Sequence, residues 1–165
     1  MDKNQLLKWF DCSQRMFPWR ENRNPYTVFI SEIMLQQTRA EVVVPYFLNF
    51  LTLFPTIEAL ASAPLESVIK AWEGLGYYSR ARNLHSIAKT VYEHYNGEIP
   101  SDESILKRFK GLGPYTTNAI LCFAFKRKKA PLDGNVIRFL TRFYKITEDV
   151  TKQKVKNRLF DLFDF

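Results

Sequence analysis

Apolar residues recur at intervals of three and four positions along most of the chain, and no segment alternates between apolar and polar residues as a half-buried strand does. The pattern is clearest after Ser79, where one helical face would carry Ala81, Leu84, Ile87, Ala88, Val91 and Tyr92. Asn96-Gly97 follows as a left-handed helix end. About ten short helices with brief polar connections are predicted, and the fold class is therefore all-α.

Residues that favour helix ends divide the remaining chain. Asn24, followed by Pro25 at the first helical position, predicts a helix from Tyr26 to about Gln37. Thr56 and Ser62 are predicted to cap two short helices, and Ser101 to open a helix that runs through Phe109. A last amphipathic helix is predicted from Thr151 to Phe165, and its three phenylalanines near the end suggest a chain that is cut short.

Composition narrows the class of protein. With 165 residues, 46% of them apolar, the chain can form one core or two small lobes. A net charge of +7 favours a polyanionic partner. Cys12 and Cys122 lack metal-ligand spacing and are predicted to be reduced thiols, while His85 and His94 are expected on helix surfaces. Without a membrane-length apolar run or a signal sequence, a cytoplasmic, nucleoid-associated protein is expected.

A glycine turn between two predicted helices is the first candidate for binding chemistry. Lys110-Gly111-Leu112-Gly113-Pro114 leads directly into an apolar helix, and glycines permit left-handed backbone angles and close approach. Unpaired amides at a helix N-terminus suit a phosphate group. The pattern Gly-x-Gly is also typical of an ordinary helix–helix turn, so the sequence leaves both interpretations open.

Two carboxylates are candidates for catalysis. Glu32 is the only acid in an apolar, amide-rich helical segment, where burial would raise its pKa and make it a general acid; the alternative is a solvated acid on the outer helix face. Asp133 could stay charged and stabilise a sugar cation, or it could cap the helix predicted from Val136 to Tyr144. The two roles of Asp133 are compatible.

Aromatic and amide side chains at predicted helix ends form a third group. Gln36, Gln37 and Tyr77 could fill the gap left when a base leaves a duplex, although core tyrosines are the more frequent explanation. Trp19 and Arg20 together suit a purine edge, and they equally suit a buried tryptophan beside a surface arginine.

In their order along the chain, the segments PWR, PYTVFISEIMLQQT, GLGYYSRARNLH, KGLGPYTTNAI and LDGNV resemble the helix-hairpin-helix DNA glycosylase superfamily, and within it the adenine glycosylases of the MutY type. The resemblance covers residues from about 17 to 145. It implies a six-helix barrel lobe over residues 20–130 with the hairpin near 106–125. Residues 1–19 and 131–165 would form part of a second, incomplete helical lobe.

The resemblance also implies roles for individual residues. Glu32 would protonate adenine at N7, Asp133 would support the sugar cation, and Tyr115 falls where bifunctional relatives carry a nucleophilic lysine, which predicts a monofunctional enzyme. Substrate-binding positions would be Trp19, Arg20, Leu35, Gln36, Gln37, Tyr77 and Asn135. The DNA backbone would meet Lys110, Gly111, Gly113 and Thr116.

The implied function is removal of adenine mispaired with 8-oxoguanine or guanine, by base flipping and acid-assisted hydrolysis. The expected partner is double-stranded DNA with a mismatched or oxidised base pair, bound by a monomer. The family's four-cysteine loop and its C-terminal recognition domain have no counterpart here, so no cofactor is expected within this chain, and a [4Fe-4S] cluster only if the protein continues past Phe165. The alternatives are a glycosylase for another base, such as thymine in G·T, and a non-catalytic DNA-binding remnant.

Overall fold

The structure, a computed structural model, describes residues 3–162 and contains eleven helices and no strand in that range. The predicted all-α class is confirmed. The helices are α1 (Lys3–Ser13), α2 (Pro18–Glu21), α3 (Pro25–Met34), α4 (Ala40–Leu53), α5 (Ile57–Ser62), α6 (Leu65–Ala71), α7 (Ser79–His94), α8 (Glu103–Leu106), α9 (Pro114–Phe123), α10 (Gly134–Phe143) and α11 (Gln153–Asp161). Between residues 3 and 162, no helix combines the length and the apolar character that crossing a membrane would require.

Helix α3 lies at the centre of the larger of two hydrophobic cores. Every residue from Thr27 to Met34 is buried, and the helix packs on α2, α4, α7 and α9. A helix that is buried on all sides must be apolar nearly all round, as the segment PYTVFISEIM is. This core extends from Phe17 to Leu121, and Phe29, Phe47 and Trp72 are among its fully buried side chains. A polar residue on α3 therefore has no route to bulk solvent except through a cavity.

A second, smaller core joins the last two helices. It consists of Leu140, Ile146, Val155 and Leu159. The predicted helix at the end of the chain is present as α11, and residues 163–165, which include two of the three phenylalanines, lie outside the described residues. At the other end, α1 keeps its apolar side chains exposed, with Trp9 at 62%.

The predicted helix ends are partly confirmed. Asn24 accepts a hydrogen bond from Thr27 N and Thr56 from Ala59 N, as N-caps do. Ser62 is instead the last residue of α5, and Pro64 precedes α6. Ser101 is also not a cap, because the Asp102 carboxylate accepts the amides of Ser104 and Ile105.

Two further expectations about this region are wrong. Helix α8 ends at Leu106 and not at Phe109, because the chain turns there toward the glycine turn. His85 is buried, not on the surface, and its Nε2 lies 2.9 Å from the carbonyl oxygen of Ala63.

Candidate active site

Glu32 is a buried acid in the middle of the central helix. Glu32 is only 7% exposed. The interpretation of Glu32 as a solvated acid on the outer face of the helix is therefore wrong. Burial in apolar surroundings disfavours the charged form and raises the pKa of the Glu32 carboxyl from 4.5 to about 7. A carboxyl group with this pKa is partly protonated at neutral pH and can donate a proton.

Asp133 caps α10, which is one of the two roles predicted for it from the sequence. Its carboxylate accepts a hydrogen bond of 2.7 Å from Val136 N, and its other oxygen lies 3.4 Å from Asn135 Nδ2. The N-terminus of a helix stabilises a negatively charged side chain. The cap therefore holds a carboxylate at a fixed place without occupying both of its oxygens strongly.

One cavity brings the two carboxylates together. It has a volume of about 310 Å³ and is lined by Glu32, Leu35, Gln36, Gln37, Tyr115, Leu132 and Asp133. Tyr115 lines the same cavity, where burial first and then the negative charges of Glu32 and Asp133 raise the pKa of its hydroxyl. The fold thus brings Glu32 and Asp133, which are about 100 positions apart in the sequence, to one cavity.

A second cavity, of about 380 Å³, also opens on Glu32 and reaches the predicted base-binding residues. Leu35 and Tyr115 line both cavities, and Trp19 and Arg20 line only the second. The Trp19 ring is buried and stacks on Phe17 at 4.9 Å between centroids. Arg20 donates to the carbonyl oxygen of Arg15 at 2.9 Å, which directs its guanidinium along this wall.

The end of α3 is tied to the glycine turn through the side chain of Gln36. Its Nε2 donates to the Gly111 carbonyl oxygen and to Thr116 Oγ1, each at 3.0 Å. Thr116 is 3% exposed. The Thr116 hydroxyl is therefore buried and bound to Gln36, and the place of Thr116 at the DNA backbone stays a prediction. The amide of Gln36 likewise acts as a brace between two elements at the rim of the cavity.

The glycine turn uses its two glycines differently. Gly111 has φ +97°, an angle that favours glycine, and a Cβ there would lie 2.8 Å from Asn83 Nδ2, so the Asn83 side chain would have to shift. Gly113 has φ −73° and open space around it, so it does not use the left-handed angle that a glycine permits. It is the N-cap of α9 and leaves the first amides of that helix without a side-chain cap. Lys110 and these amides form the exposed tip of the hairpin between α8 and α9.

Gln37 and Tyr77 share an uncommon backbone conformation. Their φ angles are +57° and +49°, in the left-handed region that non-glycine residues rarely adopt. Both side chains are exposed, Tyr77 at 60%. Asn135 lies on the exposed start of α10, beside Asp133 but outside the cavity that holds Glu32.

Sequence reasoning did not single out Arg80, which is buried between these two segments. Its guanidinium donates to backbone carbonyls at the end of α3 and in the turn before Tyr77. A signal was available: Arg80 stands four and seven positions before Leu84 and Ile87, on the helix face where the pattern calls for apolar residues.

The part of the chain that is described offers no ligand set for a metal or an iron–sulfur cluster. Within residues 3–162, no three His, Cys, Asp or Glu side chains cluster, and Cys12 and Cys122 are free thiols. These residues do not fit the four-cysteine cluster that the resemblance attaches to a longer chain.

Helices joined by a short glycine turn, beside a cavity with two carboxylates, define a helix-hairpin-helix protein with a candidate hydrolytic site. The family model for HhH-GPD superfamily base excision DNA repair proteins matches residues 30–164. The chain therefore belongs to the HhH-GPD superfamily.

Individual relatives agree with this assignment. The chain is 42% identical over 142 residues to the adenine DNA glycosylase of Buchnera aphidicola subsp. Baizongia pistaciae, covering 86% of this chain and 40% of the relative. It is 40% identical over 169 residues to the adenine DNA glycosylase of Rattus norvegicus, covering 97% and 33%. Among solved structures, a thermostable thymine-DNA glycosylase is 28% identical with a TM-score of 0.84, covering 97% of this chain and 74% of that one.

The chain spans 40% or less of the length of these two curated relatives. The matched residues, 30–164, include every residue that lines this cavity, from Glu32 on the central helix to Asp133 at the cap of α10.

Proposed function

We propose that the chain is the catalytic part of an adenine DNA glycosylase, which removes adenine paired with 8-oxoguanine or guanine by hydrolysing its N-glycosidic bond. One observation carries the proposal: Glu32, whose pKa burial raises to about 7, opens on the same cavity as the fixed carboxylate of Asp133. The curated relatives at 42% and 40% identity support adenine as the base.

The two acids take complementary roles. Glu32 donates its proton to N7 of an adenine that has been turned out of the duplex, and the neutral purine leaves as the glycosidic bond breaks. A positioned general acid contributes about 10²–10⁴ in rate. Asp133 stabilises the positive charge that develops on the deoxyribose. A water molecule then adds to the sugar carbon, so that its hydroxyl completes hydrolysis and its remaining proton returns to the Glu32 carboxylate.

Tyr115 supports a monofunctional enzyme. It lines the same cavity as the two acids, and the raised pKa keeps its hydroxyl protonated, so it is a poor nucleophile. No lysine lines this cavity within residues 3–162. Hydrolysis without efficient strand cleavage is expected.

The DNA backbone is proposed to bind at the hairpin. Lys110 and the uncapped amides at the start of α9 offer one positive side chain and a helix N-terminus to a phosphate. Gln36 and Thr116 fix this turn against α3 from below. The proposed partner is duplex DNA with a mismatched or oxidised pair; the monomeric state and the location at the cytoplasmic nucleoid stay predictions.

Release of adenine from a duplex with adenine opposite 8-oxoguanine, under single-turnover conditions, tests the proposal. Glu32→Gln should abolish release while duplex binding persists. Glu98→Gln, the same change at an exposed position, is the matched control and should release adenine at the unchanged rate. Release by Glu32→Gln at the rate of the unmodified protein would disprove the role of Glu32.

A second candidate is removal of thymine from a G·T mispair, which the 28% identity and TM-score of 0.84 to a thymine-DNA glycosylase favour. A panel of duplexes with A opposite 8-oxoguanine, A·G and G·T separates the two activities. Salt-dependent binding to every duplex without release of any base would instead indicate a DNA-binding protein.

A further inference from the structure

Arg80 is a buried cation that joins two separate segments at the rim of the site. It is 7% exposed and lies at the start of α7. One terminal nitrogen donates to carbonyl oxygens at the end of α3, and the other to the turn before α7; the acceptors are Ile33 at 3.3 Å, Met34 at 2.7 Å and Gln36, and then Leu75 at 3.3 Å and Gly76 at 3.1 Å.

Two of these carbonyls belong to the peptide groups immediately before the left-handed residues. The Gln36 carbonyl precedes Gln37, and the Gly76 carbonyl precedes Tyr77. A non-glycine residue keeps a left-handed angle only where its surroundings enforce it. One guanidinium binds the peptide group before each of these two residues.

Additional contacts strengthen the second of these places. The Arg80 guanidinium carbon lies 5.4 Å from the centroids of both the Trp72 and the Tyr77 rings. The Arg80 amide donates to the Tyr77 carbonyl oxygen at 2.9 Å, and Trp72 Nε1 donates to the Gly76 carbonyl oxygen at 3.1 Å. The backbone is thus held from the inside, while the side chains of Gln37 and Tyr77 remain exposed.

We infer that Arg80 is a positioning residue that holds Gln37 and Tyr77 in the conformation in which they enter the duplex as the target base leaves it. This inference rests on the proposed function. A planar guanidinium can bind two segments at once, whereas a lysine has one ammonium group at a single point. Arg80→Lys therefore keeps the charge and loses one of the two attachments.

The experiment measures base extrusion directly. 2-Aminopurine replaces adenine, and its fluorescence rises when it leaves the base stack. Two DNAs are compared. In one, the analogue lies opposite 8-oxoguanine, and in the other it lies opposite a one-nucleotide gap, where the analogue has no partner base whose pairing must be replaced when it leaves. All proteins carry Glu32→Gln so that no base is removed. Arg82→Lys, the same change at an exposed position on the same helix, is the control.

The expected result is a loss confined to the intact duplex. Arg80→Lys should lower the extruded fraction about tenfold opposite 8-oxoguanine, since charge-assisted hydrogen bonds to one segment are lost, and should leave the gapped DNA unchanged. An equal loss of extruded base on both DNAs would mean that Arg80 has a general folding role, and it would overturn the inference. An extruded fraction that is unchanged on both DNAs would also overturn it. If the 2-aminopurine fluorescence does not rise even with the protein that retains Arg80, the proposed function is wrong, and the inference that rests on it is wrong as well.

Circular dichroism establishes whether Arg80→Lys is folded. If it is not, Trp72→Phe provides the test, because it removes one donor to the Gly76 carbonyl and leaves Arg80 in place. It should lower extrusion opposite 8-oxoguanine about threefold, as one neutral hydrogen bond is lost. Extrusion that is unchanged there, or reduced equally opposite the gap, would overturn the inference.

Discussion

The burial of Glu32 makes a quantitative prediction about stability. In the folded protein its pKa is about 7, against 4.5 in the unfolded chain. Each pKa unit is worth about 1.4 kcal/mol, so the charged form of Glu32 costs the folded state about 3 kcal/mol. The side chain is 7% exposed, so solvent screening reduces this cost little. Glu32→Gln removes the charge and keeps the shape of the side chain.

The sign of the effect follows from the direction of the shift. Below the unfolded pKa of 4.5, the carboxyl is protonated in both states and costs nothing. Between 4.5 and about 7 the unfolded chain loses its proton first, and folding stability falls as the pH rises. Above the folded pKa the penalty is complete. The advantage of Glu32→Gln over the unmodified protein should therefore be about 3 kcal/mol larger at about pH 8 than at about pH 4.

Urea unfolding at these two pH values measures the prediction. Burying an uncharged amide has its own cost, but that cost does not depend on pH and cancels when the two values are compared. Glu98→Gln, at an exposed position, should show no pH-dependent gain. A difference between the unmodified protein and Glu32→Gln that is the same at both pH values would refute the claim that Glu32 is buried without a compensating partner.

Three further predictions concern the site. Because Glu32 acts in its protonated form, base release should fall about tenfold per pH unit above about pH 7, as single-turnover rates will show; a flat profile to about pH 9 would contradict this. Gly111→Ala should lower the unfolding free energy by about 1–2 kcal/mol from its left-handed angle, and Gly113→Ala by less than about 1 kcal/mol as a lost helix cap; equal losses would contradict the assignment of the two angles. Asp133→Asn keeps a good cap and should slow base release about 10²-fold with little change in stability, whereas Asp102→Asn, the same change at the N-cap of α8, should leave release unchanged.

The prediction of helices from the sequence succeeded where local chemistry fixes the structure. Asn24 and Thr56 cap the helices that they were expected to cap, since a side-chain oxygen near a free amide needs nothing from the rest of the chain. The left-handed end at Asn96-Gly97 is present for the same reason, with φ angles of +52° and +73°. The predicted caps at Ser62 and Ser101 are wrong, because Pro64 precedes α6 and Asp102 precedes α8 in their place.

The periodic pattern could not show how deeply a polar residue is buried. For Glu32 the sequence left a solvated and a buried position open, and the packing of four helices around α3 decided between them. His85 was placed on the surface, yet the contact of α5 with α7 covers it and brings it to the Ala63 carbonyl. Burial is a property of the neighbours, which lie far away in the sequence.

The all-α class and the glycine turn between two helices could be predicted from the sequence, and Glu32 and Asp133 could be named as candidates, because propensity, periodicity and capping act over a few residues. Three features follow from the packing of the helices: Glu32 and Asp133 share a cavity, Thr116 points inward to Gln36, and Arg80 joins two turns. These features depend on contacts between segments more than 40 residues apart. Such contacts are set by how buried helices pack, which no short stretch of sequence records.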